Sequence, residues 1–248
     1  MAIPEELIYR GSYTIRTYEI DTNKQVTIAS LINLMQEAAM QNVIDIKLSV
    51  WDLAAQNISW VLLRKNLKIH QLPKLNETIK VVTHPAGFDR LFTYRDYRVY
   101  DEQGNLIAES ASTWLLMDTQ TRGAAKIPDT ILSRGQFDTA DCLVRPKGRL
   151  PKLTEVQIEK KFRVNWHDLD FNHHLSNIRY MQWMFETVDS YTNGTATLQE
   201  LSIVYKAEGH LNDELTVQTQ QLDEHTFLHQ LIRPADDQLL ATAQTLWK

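Results

Sequence analysis

The chain has 248 residues, 43% of them hydrophobic and 23% charged, with a net charge of −5. That length accommodates one large domain or two of about 120 residues, and the apolar share supports a substantial core. The acidic balance argues against general nucleic-acid binding, which rests on attraction for phosphate. No apolar run approaches the roughly 20 residues that cross a bilayer, so no membrane span is expected. The opening MAIPEELIYRGSY has neither a secretion-signal nor a transit-peptide layout. One cysteine, Cys142, has no internal partner, which points to a reducing cytoplasm.

The chain repeats itself. YTIRTYEIDTNKQVTIA (13–29) aligns without a gap on FRVNWHDLDFNHHLSNI (162–178). Tyr13 meets Phe162, Ile15 meets Val164, Asp21 meets Asp170, Asn23 meets Asn172 and Thr27 meets Ser176. LNETIKVVT (75–83) then resembles LNDELTVQT (211–219), and LIAESASTW (106–114) resembles LLATAQTLW (239–247). Three matches in the same order, offset by 149, 136 and 133 residues, indicate a tandem duplication.

Each copy opens on a short strand and a loop that leads into a helix. In the first, Thr27 is the expected N-cap, and Ile28, Leu31, Ile32, Met35, Ala38 and Ala39 recur at helical spacing. WVLLRKNLKI, ETIKVVTH, LFTYRDYRVY and LIAESASTWLLM follow as strands, with DEQGN (101–105) as a turn. The stretch from 137 to 153, containing RPKGRLPK, has no apolar period and reads as a linker between a domain at 1–136 and one at 154–248. In the second copy Ser176 is the expected cap, with Tyr180, Met181, Met184 and Val188 on the apolar stripe. LSIVYKA, ELTVQTQQL, FLHQLIR and LLATAQTLW are its strands. One helix followed by four or five strands predicts, in each copy, an antiparallel sheet wrapped around a central helix, an α+β architecture. Trp60, Trp114, Trp183 and Trp247 are read as core.

SYTIRTYEID, STWLLMDTQTRGAAKIPD and DLDFNHHLSNIRYMQWMFE resemble the acyl-ACP thioesterases of plants and bacteria, and they lie in both halves. The resemblance implies a double hotdog fold, a thioesterase reaction on acyl carrier protein and no cofactor. It also implies a D-x-N-x-H motif before the second helix, met here by Asp170, Asn172 and His174, and a Glu-Cys pair downstream. Glu208 matches the glutamate, while Gly209 stands at the cysteine position. The first copy offers Asp21, Asn23 and Gln25, with Leu72 opposite Glu208, and so lacks both the histidine and the acid. Its stripe of Ile28, Leu31, Ile32, Met35, Ala38 and Ala39 is then the expected resting place of the acyl chain.

Cleaving a thioester requires an aimed water and a stabilised oxyanion. Asp170 and Glu208 are candidate bases, and burial between helix and sheet is expected to raise their pKa values. Asn172 can orient water or bond the carbonyl oxygen, and His174 can donate to the oxyanion, orient a carboxylate or protonate the leaving thiolate. The helix following Ser176 offers a positive dipole end for the developing charge. Water attack is the favoured route, with a covalent anhydride on Asp170 as the alternative. His167, Asp168, Asp170, His173 and His174 also invite a metal reading, which adjacent histidines on an extended segment disfavour because they point apart. No metal is expected.

An acidic carrier protein needs a basic docking face. Arg145, Lys147, Arg149, Lys152, Lys160, Lys161 and Arg163 outnumber Glu155 and Glu159 between 145 and 163, against the alternative of a solvated charge run. Rival functions are an acyl-CoA thioesterase, a hydroxyacyl dehydratase, or an acyl-binding module without turnover. A homodimer is left open.

Overall fold

Alternating β-branched runs and one apolar helix build each half of the chain in the same way. Two units result, Met1–Pro146 and Lys147–Lys248, and the computed structural model describes residues 3–133, 142–145 and 148–248. The first unit holds β1 (Tyr9–Thr14), α1 (Ile28–Asp45), α2 (Val50–Ala54), β2 (Ile58–Ile69), β3 (Thr78–Asp89), β4 (Phe92–Tyr100), β5 (Leu106–Asp118) and α3 (Asp129–Leu132). The second holds β6 (Ile158–Arg163), α4 (Asn177–Phe185), α5 (Asp189–Thr192), β7 (Leu198–Tyr205), β8 (Glu214–Gln221), β9 (Thr226–Arg233) and β10 (Gln238–Trp247).

The strand order is β1-β3-β4-β5-β2 in the first unit and β6-β8-β9-β10-β7 in the second, antiparallel throughout. These are one topology written twice, as the internal repeat predicts. Helix α1 packs against β1 and β3, and α4 against β8 and β9. All six residues of the first stripe, Ile28, Leu31, Ile32, Met35, Ala38 and Ala39, are buried. Burying such side chains drives each helix onto its sheet, at roughly 1.5–3 kcal/mol for each large aliphatic one. Thr27 caps α1 by accepting the Ser30 N–H at 3.1 Å. Ser176 occupies the cap position of α4 with no side-chain bond to the helix, so the expected cap is met in place and not in chemistry.

The two inner faces differ in what they bury. In the first unit Lys65, Ser112 and Arg95 stand in one row across β2, β5 and β4. The corresponding row of the second unit is Leu201, Thr245 and Phe227. Arg95 Nη1 donates to Asn42 Oδ1 on α1 at 2.8 Å, and Lys65 Nζ lies 4.5 Å from the centre of the Tyr97 ring. Burial pushes the Lys65 ammonium down to about 8. The second unit instead threads a hydrogen-bond chain through His229, which is wholly buried. Trp247 Nε1 donates to Thr245 Oγ1 at 2.8 Å, and Thr245 Oγ1 lies 2.9 Å from His229 Nε2. His229 Nδ1 lies 2.9 Å from Thr219 Oγ1, which meets Thr187 Oγ1 at 2.6 Å, and Thr187 donates to the Met184 carbonyl at 2.6 Å.

Candidate active site

The loop between β6 and α4 is organised by Asp170. Its N–H donates to the His174 carbonyl at 2.8 Å, and its Oδ1 accepts the N–H groups of Asn172 (2.8 Å) and His174 (3.3 Å). So tight a return places His173 in the left-handed region at φ 62°, where histidine is among the better-tolerated residues that carry a side chain. A bridge between Leu169 and Leu175 closes the base of the loop. The Leu175 N–H then donates to the Gly209 carbonyl at 2.8 Å, which draws the segment after β7 against the loop.

That contact brings His174 and Glu208 together. Nδ1 lies 3.5 Å from Oε1, and each side chain is 29% exposed. The separation is long for a direct hydrogen bond, yet it aims Nδ1 at the carboxylate. A proton on Nδ1 leaves Nε2 as the ring's acceptor. His210 stands edge-on to His174, with ring centres 5.3 Å apart. Asp170 is half-buried, and Asn172 and His173 are exposed. The burial expected for the two carboxylates is therefore only partial, because both ride on connecting segments rather than on α4 or a strand.

The first unit repeats the backbone bond for bond. Asp21 N–H donates to the Gln25 carbonyl, and Asp21 Oδ1 accepts the N–H groups of Asn23 and Gln25. Lys24 takes φ 60° where His173 takes 62°. The Val26 N–H donates to the Pro73 carbonyl at 2.8 Å, as Leu175 does to Gly209. These matching bonds put Gln25 in the place of His174 and Leu72 in the place of Glu208. The aspartate turn thus persists in a unit without the histidine and the acid, so the turn does not depend on the pair.

Gly209 is buried, and a Cβ there would stand 3.0 Å from Leu175 Cβ. A side chain at the family's cysteine position would force Leu175 to shift. Cys142 is half-buried, with Sγ 3.8 Å from the Ala86 carbonyl. Of the basic run, Arg145 is spoken for: its Nη2 lies 2.6 Å from Oδ1 of the fully buried Asp96, and its guanidinium lies over Tyr94. Lys147 lies outside the described residues. Arg149, Lys152, Lys161 and Arg163 are exposed. Lys160 points to the other side of β6 and donates to the Glu186 carbonyl. The run is therefore partly an edge strand, where lysines also serve to discourage pairing with other chains.

Tyr180 stands on the apolar stripe of α4, as its spacing predicts, and the ring is 2% exposed. Its hydroxyl does more, donating to the Ala207 carbonyl at 3.0 Å and accepting the Gly209 N–H at 2.9 Å. Arg179 was also missed. Its Nε pairs with Asp168 Oδ1 at 3.0 Å, and the charge pattern alone holds no signal for that contact.

Residues 6–134 match the family model described as the acyl-ACP thioesterase N-terminal domain, and residues 151–248 match the C-terminal domain. A palmitoyl-acyl carrier protein thioesterase of Cuphea hookeriana is 26% identical over 83% of this chain and 53% of its own length. An oleoyl-acyl carrier protein thioesterase of Arabidopsis thaliana is 24% identical over 98% of this chain and 76% of its own. The chain spans about half the length of several curated relatives it matches. Among solved structures, an acyl-ACP thioesterase from Bacteroides thetaiotaomicron superposes with a TM-score of 0.88 at 20% identity, covering 98% of this chain and 99% of that one. The 12:0-ACP thioesterase from Umbellularia californica gives 0.84 at 21% identity, covering 98% and 97%. These likenesses identify the fold as the tandem hotdog. Among the described residues, no helix is long and apolar enough to cross a membrane.

Proposed function

The chain belongs to the acyl-ACP thioesterase family, and from that premise we propose that it hydrolyses fatty acyl thioesters carried on acyl carrier protein, releasing the free acid and the carrier thiol. The observation that supports this reading is the His174–Glu208 pair at 3.5 Å on a loop whose twin in the first unit carries Gln25 and Leu72. An acyl-binding module would have no use for that difference.

In this reading Glu208 takes a proton from water as the water oxygen bonds to the thioester carbonyl carbon. The oxyanion is met by the Asn172 amide and the positive end of α4. Collapse of the tetrahedral adduct breaks the carbon–sulfur bond, and the proton that Glu208 took from water passes by way of His174 to the departing thiolate. Asp170 fixes the loop through Oδ1 and is the second candidate base. No thiol takes part. The first unit, lacking both members of the pair, is assigned to selecting the acyl chain through the α1 stripe, and a reducing compartment suits the lone Cys142.

Turnover of acyl-ACP by purified variants tests the proposal. Glu208→Gln and Asp170→Asn each lower kcat at least about 100-fold, the lower range for losing a general base. Asn at 170 still offers an oxygen to both turn N–H groups, so its loss reports the charge alone. Retention of more than about a third of the activity by both variants refutes the site. Assaying the same acyl chain on coenzyme A separates carrier specificity from hydrolysis.

A further inference from the structure

We propose that Tyr180 is a positioning residue for Glu208, an inference that rests on the catalytic reading of Glu208. Its hydroxyl grips the chain on both sides of the glutamate. It donates to the carbonyl of Ala207, the preceding residue, and accepts the N–H of Gly209, the following one, at 3.0 and 2.9 Å. Both distances are those of good hydrogen bonds. Residues 206–213 form a connection between strands, where backbone conformation is not set by a sheet partner at every residue. Pinning both peptides that flank Glu208 restricts the backbone rotations that aim its side chain, and so keeps Oε1 facing His174.

Tyr180 is itself well anchored. It lies on α4, is 2% exposed, and meets Tyr205 edge-on with ring centres 5.4 Å apart. Tyr205 in turn donates from its hydroxyl to the Asn177 carbonyl at 3.2 Å. Burial raises the Tyr180 phenol well above its ordinary range, and nearby Glu208 and Asp170 raise it further. The phenol therefore keeps its proton and remains a donor to Ala207.

The first unit supplies the internal control. The 149-residue offset puts Leu31 opposite Tyr180, and the offset of 136 puts Leu72 opposite Glu208 and Pro73 opposite Gly209. Proline has no N–H to satisfy, and leucine has no hydroxyl to satisfy it. Where the acid is gone, the clamp and the donor it holds are gone as well. A tyrosine kept only to fill the core under α4 would have no reason to follow the glutamate.

The test is a double-mutant cycle on acyl-ACP turnover. Tyr180→Phe keeps the ring and lowers kcat about tenfold, equivalent to roughly 1.4 kcal/mol, with KM within about twofold of the parent. In the Glu208→Gln background the same change alters kcat by less than about twofold, because the residue it positions no longer acts. A loss that multiplies in both backgrounds, or no loss in the parent, overturns the inference. If Glu208→Gln alone leaves kcat intact, the catalytic reading itself falls, and the inference with it. Tyr180→Leu, the residue found at the matching place in the first unit, provides a second variant should the phenylalanine protein fold poorly.

Discussion

His229 sets how the second unit responds to acid. Trp247 and Met184 fix the direction of its hydrogen-bond chain: the indole can only donate and the carbonyl can only accept. Thr245 therefore receives the Trp247 proton and gives its own to His229 Nε2, while His229 Nδ1–H donates to Thr219, Thr219 to Thr187, and Thr187 to Met184. A second proton on the ring would oppose the Thr245 hydroxyl and bring a charge into a site with no exposure. Burial accordingly lowers the imidazole from 6.5 to about 3. In the unfolded chain the ring takes up a proton below about 6.5, whereas the folded unit stays neutral down to about 3. Stability is thus complete above 6.5 and falls as pH drops through that window, by roughly 1.4 kcal/mol per pH unit. Between pH 7 and pH 5 the loss from this ring comes to about 2 kcal/mol. His229→Gln removes the titration while leaving an oxygen and an amide for the two threonines. Urea unfolding of parent and variant at both pH values isolates the ring, since carboxylate titrations cancel in the difference. The parent's advantage over the variant should shrink by about 2 kcal/mol at pH 5. A gap that stays constant to within about 0.5 kcal/mol would show that the ring is not held neutral.

Three further outcomes follow from the site and its surroundings. Cys142→Ala should retain acyl-ACP hydrolysis, and full inactivation of a protein with an unchanged unfolding curve would bring back a thiol nucleophile. Reversing Arg149, Lys152 and Lys161 to glutamate should raise KM for acyl-ACP and flatten its salt dependence, with little effect on a small acyl thioester. Arg145 is left out because its loss would strand the buried Asp96, and equal losses on both substrates would count against docking. Ala39→Phe should shift the chain-length profile toward shorter acyl groups. Ala39 is 8% exposed and Ala38 not at all, so position 39 is the less crowded place for added bulk. A profile slowed alike at every length removes the α1 stripe from chain selection.

Much of this was legible because duplication leaves an internal alignment. The eight long strands, both central helices and the Asp21 and Asp170 turns all follow from three matched segments and two periodicities. The pairing of His174 with Glu208 was legible only as a family pattern, since no periodicity brings residues 34 apart into contact. Hydroxyl chemistry stayed hidden. Tyr180 and Thr219 sit at apolar-periodic positions, and a pattern of burial does not say what a buried oxygen bonds. Lys65 and Arg95 were invisible for a related reason. A strand alternating polar and apolar residues predicts charges facing outward, and here both are buried, with Arg95 bonded to Asn42 on α1. Arg145 misled because a basic run carries no mark of which member finds a buried acid.

The matched backbones also bear on what it would take to give the first unit the residues of the second. Its loop needs no rebuilding, since every turn bond is already in place. If Tyr180 positions Glu208 as proposed, the same arrangement there would still require Gln25→His, Leu72→Glu and Leu31→Tyr together. Leu72 is 8% exposed and Leu31 fully buried, so a carboxylate or a phenol introduced alone enters apolar surroundings without a partner and destabilises the fold. Pro73, with no N–H to offer, would deny the new tyrosine one of its two bonds. Each single step is unfavourable before the next can help.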